Sequence, residues 1–218
     1  MRNEKLLGFA LRILVFLAVI AIGVALIFVV KAVLYNQPTT PRTEVEREIM
    51  DAEAAVKSSP TSVKARIMLS LAYSRAGRYN EAIEEASIAV KLDNNNATAY
   101  YALGVARSRA GDTEEAIAAL NKCVKLNTGL ADVYQQAYYE LGEIYMREGK
   151  YKDAIKAYYG ALSEGPEATY VVMALARAYE KAGETKNAIE QYRSILDYDP
   201  TNQEAKDALV RLGVKLKK

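Results

Sequence analysis

The sequence predicts an all-α protein: one membrane-spanning helix, then an α-solenoid of a lone helix, four helix-turn-helix repeats and a C-terminal capping helix. Three observations carry that expectation. Residues 13–30, ILVFLAVIAIGVALIFVV, run for eighteen positions without a charge. A short turn recurs as Ala76-Gly77, Ala110-Gly111, Glu148-Gly149 and Ala182-Gly183, its glycines 34, 38 and 34 residues apart. Each turn lies between two apolar-periodic segments, and a fixed period of this size marks a helical repeat array.

Composition narrows the function classes. The 218 residues suffice for one or two domains. There are 29 Lys and Arg against 27 Asp and Glu; setting aside Arg2, Lys5, Arg12, Lys31 and Glu4 leaves 25 against 26 after residue 35. The array is therefore close to neutral, which argues against a nucleic-acid partner, since such a protein carries a basic face. No His and a single Cys exclude a His/Cys zinc site, a Ser-His or Cys-His nucleophile pair and an internal disulfide.

Residues 1–35 are read as an N-terminal anchor, with residues 6–35 in contact with the bilayer. Eighteen helical residues span about 27 Å, close to the hydrocarbon thickness of a membrane. Arg12 and Lys31 can snorkel to the two interfaces, and Tyr35 sits where an interfacial aromatic belongs. A cleaved signal peptide is the competing reading. The apolar run is long for one, and Val30-Lys31-Ala32-Val33-Leu34 offers no small-residue cleavage site. A buried core helix is the third reading. Arg2, Lys5 and Arg12 before the span favour a cytoplasmic N-terminus and an array outside the cytosol.

Residues 36–43, NQPTTPRT, form a linker that Pro38 and Pro41 keep out of helix. The solenoid then occupies residues 44–218. Thr43 with Glu46 makes a capping box that opens a lone helix ending before Pro60. Repeats follow at about 63–96, 97–130, 131–168 and 169–202. The third carries four extra residues near Ala131 to Tyr134. Four residues add about one helical turn, so the insertion is expected to lengthen the first helix, to about 130–148. A longer loop is the alternative. A capping helix over 203–216 presents Ala205, Leu209 and Leu212 to the open apolar edge.

Matched offsets recur in every repeat: Leu69, Tyr73, Gly77, Ala82, Ala89; Leu103, Arg107, Gly111, Ala116, Cys123; Leu141, Tyr145, Gly149, Ala154, Ala161; Leu175, Tyr179, Gly183, Ala188, Ile195. On these residues, and on stretches such as LSLAYSRAGRYNEAIEEASIAVKLDNN and LGEIYMREGKYKDAIKAYYGALSEGP, residues 44–214 resemble the tetratricopeptide-repeat family. The resemblance implies a right-handed solenoid whose first helices line a concave groove that binds a peptide or a partner's helix. Arg107 and Ile195 depart from the pattern, as do Asn94 and Thr128, which stand where a closing proline is expected.

Mapped onto this chain, the groove candidates are Lys64, Ile67, Leu71 and Arg75; Tyr101, Val105 and Arg109; Tyr139, Glu143 and Arg147; and Tyr170, Met173, Arg177 and Lys181. A cation closes every first helix, as Arg75, Arg109, Arg147 and Lys181. Helix-end electrostatics accounts for such a row; so does an acidic or C-terminal peptide held by Arg and flanked by Tyr. The Lys/Asn clamp by which chaperone-binding members of that family hold a terminal carboxylate is absent, because its positions hold Ile67, Leu71, Ala102, Gln136 and Glu140. Asn96-Ala97-Thr98 matches a glycosylation sequon.

No paired carboxylates, phosphate loop or metal cluster points to an enzyme or a cofactor. The expected function is a membrane-tethered scaffold that recruits a peptide or protein partner through its groove. The alternative is a structural subunit of a larger membrane complex, its span packed through Gly8, Ala18, Ala21, Gly23 and Ala25. The architecture resembles that of N-terminally anchored bacterial repeat proteins, which implies the bacterial cytoplasmic membrane. It also resembles organelle import receptors with a cytosolic array.

Overall fold

The computed structural model describes residues 22–26, 43–126 and 131–215. The chain divides into two compact units, residues 1–47 and 48–218. In the first, residues 22–26 are helical and Ile22, Val24 and Leu26 are exposed. Among the described residues no helix is long and apolar enough to cross a membrane. The expected anchor lies outside the described residues apart from 22–26, as do the linker before Thr43 and Thr128.

Every described element after residue 43 is a helix. Helix α1 spans Glu44–Ser58. Its capping box forms in both directions: Glu46 N–H donates to Thr43 Oγ1 at 3.1 Å, and Thr43 N–H donates to Glu46 Oε2 at 3.2 Å. Ile49 and Ala52 are its buried face. Two contacts from the next helix hold it, Tyr73 Oη donating to Glu53 at 2.7 Å and Arg75 pairing with Glu48 at 2.7 Å.

Four helix pairs follow: α2 (Val63–Arg75) with α3 (Tyr79–Leu92), α4 (Ala97–Ala110) with α5 (Thr113–Lys125), α6 (Ala131–Arg147) with α7 (Tyr151–Glu164), and α8 (Thr169–Lys181) with α9 (Thr185–Tyr198). Helix α10 (Gln203–Arg211) packs on α9 and buries Ala205 and Leu209. Successive first helices also touch, α2 with α4 and α4 with α6. That contact puts the first helices on the inner face of the stack.

The turns explain the glycine period. Gly77, Gly111, Gly149 and Gly183 all have positive φ, between 72 and 92°. Each glycine N–H donates three residues back, and the next N–H donates five back, as Gly77 to Ser74 and Arg78 to Tyr73. This double bond satisfies the last carbonyls of the first helix while aiming the chain into the second. Gly213 repeats it after α10, through Gly213 to Val210 and Val214 to Leu209. A side chain other than Gly in this backbone costs about 1–2 kcal/mol.

Caps and insertions also have local causes. Ser62, Asn96 and Asn202 open α2, α4 and α10, each accepting from the N–H three residues on at 3.0–3.3 Å. Asn96 Nδ2 donates to Asp93, so the asparagine of the sequon is engaged at both ends of its amide. The insertion in the third repeat is absorbed as helix. Helix α6 has 17 residues where the other three first helices have 13 or 14. Its added turn buries Tyr134 and lets Gln135 Nε2 donate to Gly165 O at 3.0 Å, tying the start of α6 to the link after α7.

The core lies between the two helices of each pair and between neighbouring pairs. Ala82, Ala116, Ala154 and Ala188 are all fully buried. So are Ala89, Cys123 and Ala161, and Ile195 at the same offset is 1% exposed. A second pair of matched positions is size-compensated in the first three helix pairs, whereas the fourth sets Ala176 opposite Tyr192, both buried. On the second helix it reads Ala86, Leu120, Tyr158; on the facing first helix it reads Ser70, Gly104, Gly142. A Cβ on Gly104 would come within 2.7 Å of Leu120 Cδ2, and one on Gly142 within 2.7 Å of Tyr158 Cδ1 and Cζ. Where the second helix carries only Ala86, the first has room for a hydroxyl, and Ser70 Oγ donates to Ala82 O at 2.8 Å. Arg107 is compensated in the same manner. In the first pair Arg78 lies 4.1 Å from the centre of the Tyr73 ring; at the matching offsets of the second pair Arg107 bonds Asp112 at 3.1 Å.

Candidate protein-binding groove

The first helices are flanked on both sides, so only a narrow strip of each stays open. Lys64 and Arg75 on α2, Arg109 on α4, Arg147 on α6, and Tyr170, Arg177 and Lys181 on α8 are exposed; Leu71, Tyr101, Tyr139 and Glu143 are half-buried. Ile67, Val105 and Met173 are corrections to the expected groove. They are 7%, 5% and 8% exposed and form part of the core. Ile67 packs in a cluster with Ala86, Ala99 and Ala102, and Met173 packs with the residues around Tyr158 and Leu175. A first helix meets its own second helix and both neighbours, so it buries a wider arc than one amphipathic face.

The cations along the strip mostly link neighbouring helices. Arg75 pairs with Glu48, Arg147 Nη2 donates to Ser108 Oγ at 2.8 Å, and Arg177 pairs with Glu204. Arg211 on α10 continues the row and bonds Glu180 through two nitrogens, each at 2.9 Å. Such exposed pairs contribute about 1 kcal/mol or less apiece. An arginine already held by a carboxylate has less to offer an acidic group from outside.

Between these pairs lies a cluster centred on α6. Tyr139 meets Tyr170 edge-on, with ring centroids 5.1 Å apart at 72°, and lies 5.9 Å from Tyr158. Tyr158 is fully buried and reaches inward from α7; its hydroxyl donates to Glu143 Oε1 at 2.6 Å. Tyr101 belongs to the same neighbourhood, its phenol pushed up to about 12 by burial and then by the field of Glu140, with Tyr170 also acting on it. Burial raises Tyr139 as well, followed by Glu143 and Glu140. Tyr101 and Tyr139, both half-buried, stay neutral phenols.

Glu140 is half-buried, and among the described residues no hydrogen bond or ion pair reaches its carboxylate. Burial raises its pKa, Arg109 opposes that, Glu143 adds to it and Arg147 opposes it again. Sequence reasoning places the residue only where a chaperone-tail clamp is missing. The signal that could have found it is the register: Ala102 and Ala174 stand at the same offset and are buried. Tyr158 and Met68 are also absent from the expected groove. Met68 is half exposed and borders a cavity of 300 Å³ with Glu48, Asp51, Leu71 and Arg75 at the α1 end of the row. A second cavity, of 750 Å³, lies at the α10 end among Arg177, Glu180, Lys181, Tyr192 and Asp207.

Among the described residues no group of three His, Cys, Asp or Glu side chains is placed to hold a metal. Cys123 is fully buried, and burial pushes its thiol up to about 12.

Tetratricopeptide-repeat models match residues 67–131, 101–169 and 145–212. A solved structure of the MamA protein is 30% identical, the match covering 78% of this chain and 87% of that one, with a TM-score of 0.57. The chain belongs to the tetratricopeptide-repeat family. Similar in structure are also a thermophilic TPR protein of Thermus thermophilus (23% identical, covering 76% of this chain and 87% of that one, TM-score 0.58) and pilF of Pseudomonas aeruginosa (20% identical, 78% and 75%, TM-score 0.67). At those identities the likeness is one of fold. No curated protein matches the chain significantly. TPR arrays generally act as scaffolds for protein–protein interaction.

Proposed function

We propose that this TPR protein is a membrane-tethered adaptor that recruits a protein partner through the strip around Tyr101, Tyr139 and Tyr170. The carrying observation is the aromatic cluster itself. Three half-buried or exposed tyrosines from three consecutive first helices converge on the inner face. Tyrosines that combine a large apolar ring with a polar tip are typical anchors of protein interfaces. The tether is supported by the uncharged run at 13–30, and its orientation by Arg2, Lys5 and Arg12. Confinement to a membrane raises the effective concentration of partners held there.

The test is photo-cross-linking from position 170 in native membranes, with position 64 as a control on the same face. One dominant adduct at 170, lost on combined Tyr101→Ala and Tyr139→Ala substitution with the helical spectrum intact, is the expected result. Equal adducts at both positions would move the partner surface elsewhere. Extraction of the chain by alkaline carbonate without detergent would remove the tether.

A further inference from the structure

We infer that the partner delivers a lysine or arginine side chain into the space bounded by Tyr101, Tyr139, Tyr170 and the Glu140 carboxylate. The inference rests on the groove being the partner surface, and it names the chemistry of that partner: a protein segment with a basic residue flanked by uncharged ones.

The geometry supports a cation in three ways. First, the half-exposed Tyr170 meets Tyr139 edge-on on this strip. An aromatic face attracts an ammonium or guanidinium within about 6 Å, and Tyr170, 49% exposed, is the ring of the pair most open to one. Second, Glu140 is a carboxylate that has lost water without gaining a donor. It occupies an offset where the neighbouring repeats place buried alanines, Ala102 and Ala174. Arg109 and Arg147 offset its charge only through space, and a cation bonded to the carboxylate would compensate it more fully. Third, the hydrogen bonds of two nearby arginines go to other groups, and their effect on the cluster is through space. Arg177 is held by Glu204 and Arg147 by Ser108. Arg109 is exposed at the end of α4, acts on Glu140 through space, and makes no ion pair with it. Glu143, the other carboxylate of the cluster, is engaged by the Tyr158 hydroxyl and adds negative potential.

The opposite chemistry, an acidic peptide clasped by arginines, predicts guanidinium groups free to turn inward. Those of Arg75, Arg147 and Arg177 are instead bonded to neighbouring helices, which leaves Arg109 as the one strip arginine without such a bond among the described residues.

The experiment uses the full chain in mild detergent and an array of dodecapeptides, acetylated and amidated at their ends. Each has random uncharged residues around one fixed central Lys, Arg, norleucine or Glu. Peptides with central Lys or Arg are expected to retain the protein about tenfold better than those with norleucine, a cation–π contact and a charged hydrogen bond together being sufficient. Glu140→Gln, which keeps shape and fold, is expected to remove most of that advantage. Arg109→Gln is expected to increase it, because the resident cation no longer competes for Glu140. A preference for central Glu that Arg109→Gln weakens overturns the inference and leaves the groove as the partner surface. Retention independent of the central residue does the same. Failure of every peptide to bind, with the helical spectrum intact, removes the groove reading together with the inference.

Discussion

Replacing Gly142 with alanine perturbs the third repeat at its tightest point. A Cβ there would stand 2.7 Å from two carbons of the Tyr158 ring and nearer still to a third. Ordinary carbon contacts lie at about 3.5–4.0 Å, so the ring must retreat by about 1 Å. It has no room to do so. Tyr158 is fully buried, its hydroxyl is held 2.6 Å from Glu143, and Tyr139 lies 5.9 Å away. Overpacking of a close-packed site costs about 1–3 kcal/mol, and a ring pinned at both ends belongs at the upper limit. Helix propensity returns about 1 kcal/mol for Gly to Ala. The net expectation is a loss of about 2 kcal/mol, or about 4–8 °C in Tm for an array of this size. Gly160→Ala is the comparison. Its Cβ would meet Tyr138 Cδ1 at 2.7 Å, but Tyr138 is only partly buried and can swing outward. Its loss is expected to stay under about 1 kcal/mol once propensity is counted. Urea titration and thermal melting of the full chain by circular dichroism read both. A Gly142→Ala protein as stable as the parent would refute the packing argument.

Four further outcomes are expected. Gly111→Ala meets no atom within 4 Å, so it isolates the backbone at φ 92° and should cost about 1–2 kcal/mol in the same melts. Glu140 has a folded pKa above its unfolded value, so its share of stability is present at low pH and lost as pH rises through the folded value; Glu140→Gln should therefore raise Tm at neutral pH and remove that limb of the pH–stability curve. Glu180 has the opposite sign: hydrogen bonds from Arg211 hold it low, so its stabilisation is present above the ordinary carboxylate range and lost as pH falls through the folded value, and Arg211→Gln should flatten that acid limb. Cys123, with no exposed surface and a thiol pushed up to about 12, should resist a thiol-reactive dye in the native chain and label at the rate of global unfolding when urea is added; fast native labelling would place it outside the core.

The array was legible because its rules are local and repeat. A turn that needs positive φ shows itself as Gly at a fixed spacing, and a site where helices touch shows itself as Ala. The added turn of α6 was legible because four residues nearly preserve the buried face. The open strip was harder. Whether Ile67 faces solvent or core depends on where the next pair sits, and periodicity within one helix says nothing of a neighbour's lean. Tyr158 belongs to the groove cluster through its hydroxyl and its ring contact with Tyr139, although its helix is a second one and its ring is core. The arginines read as helix-end charge or ligand contact, because the partners of Arg75 and Arg177, Glu48 and Glu204, lie in α1 and α10, outside the four repeats.

The matched sizes of Ser70 with Ala86, Gly104 with Leu120 and Gly142 with Tyr158 have a consequence for how the chain finds its partners while folding. The backbone of one helix pair is nearly that of the next, so a first helix meets several second helices of similar shape. Docking α2 onto α7 would drive Ser70 into the space the Tyr158 ring requires, and docking α6 onto α3 would leave Gly142 opposite Ala86 with a void between them. The first three pairings thus differ in volume, which penalises an exchange of helices among them.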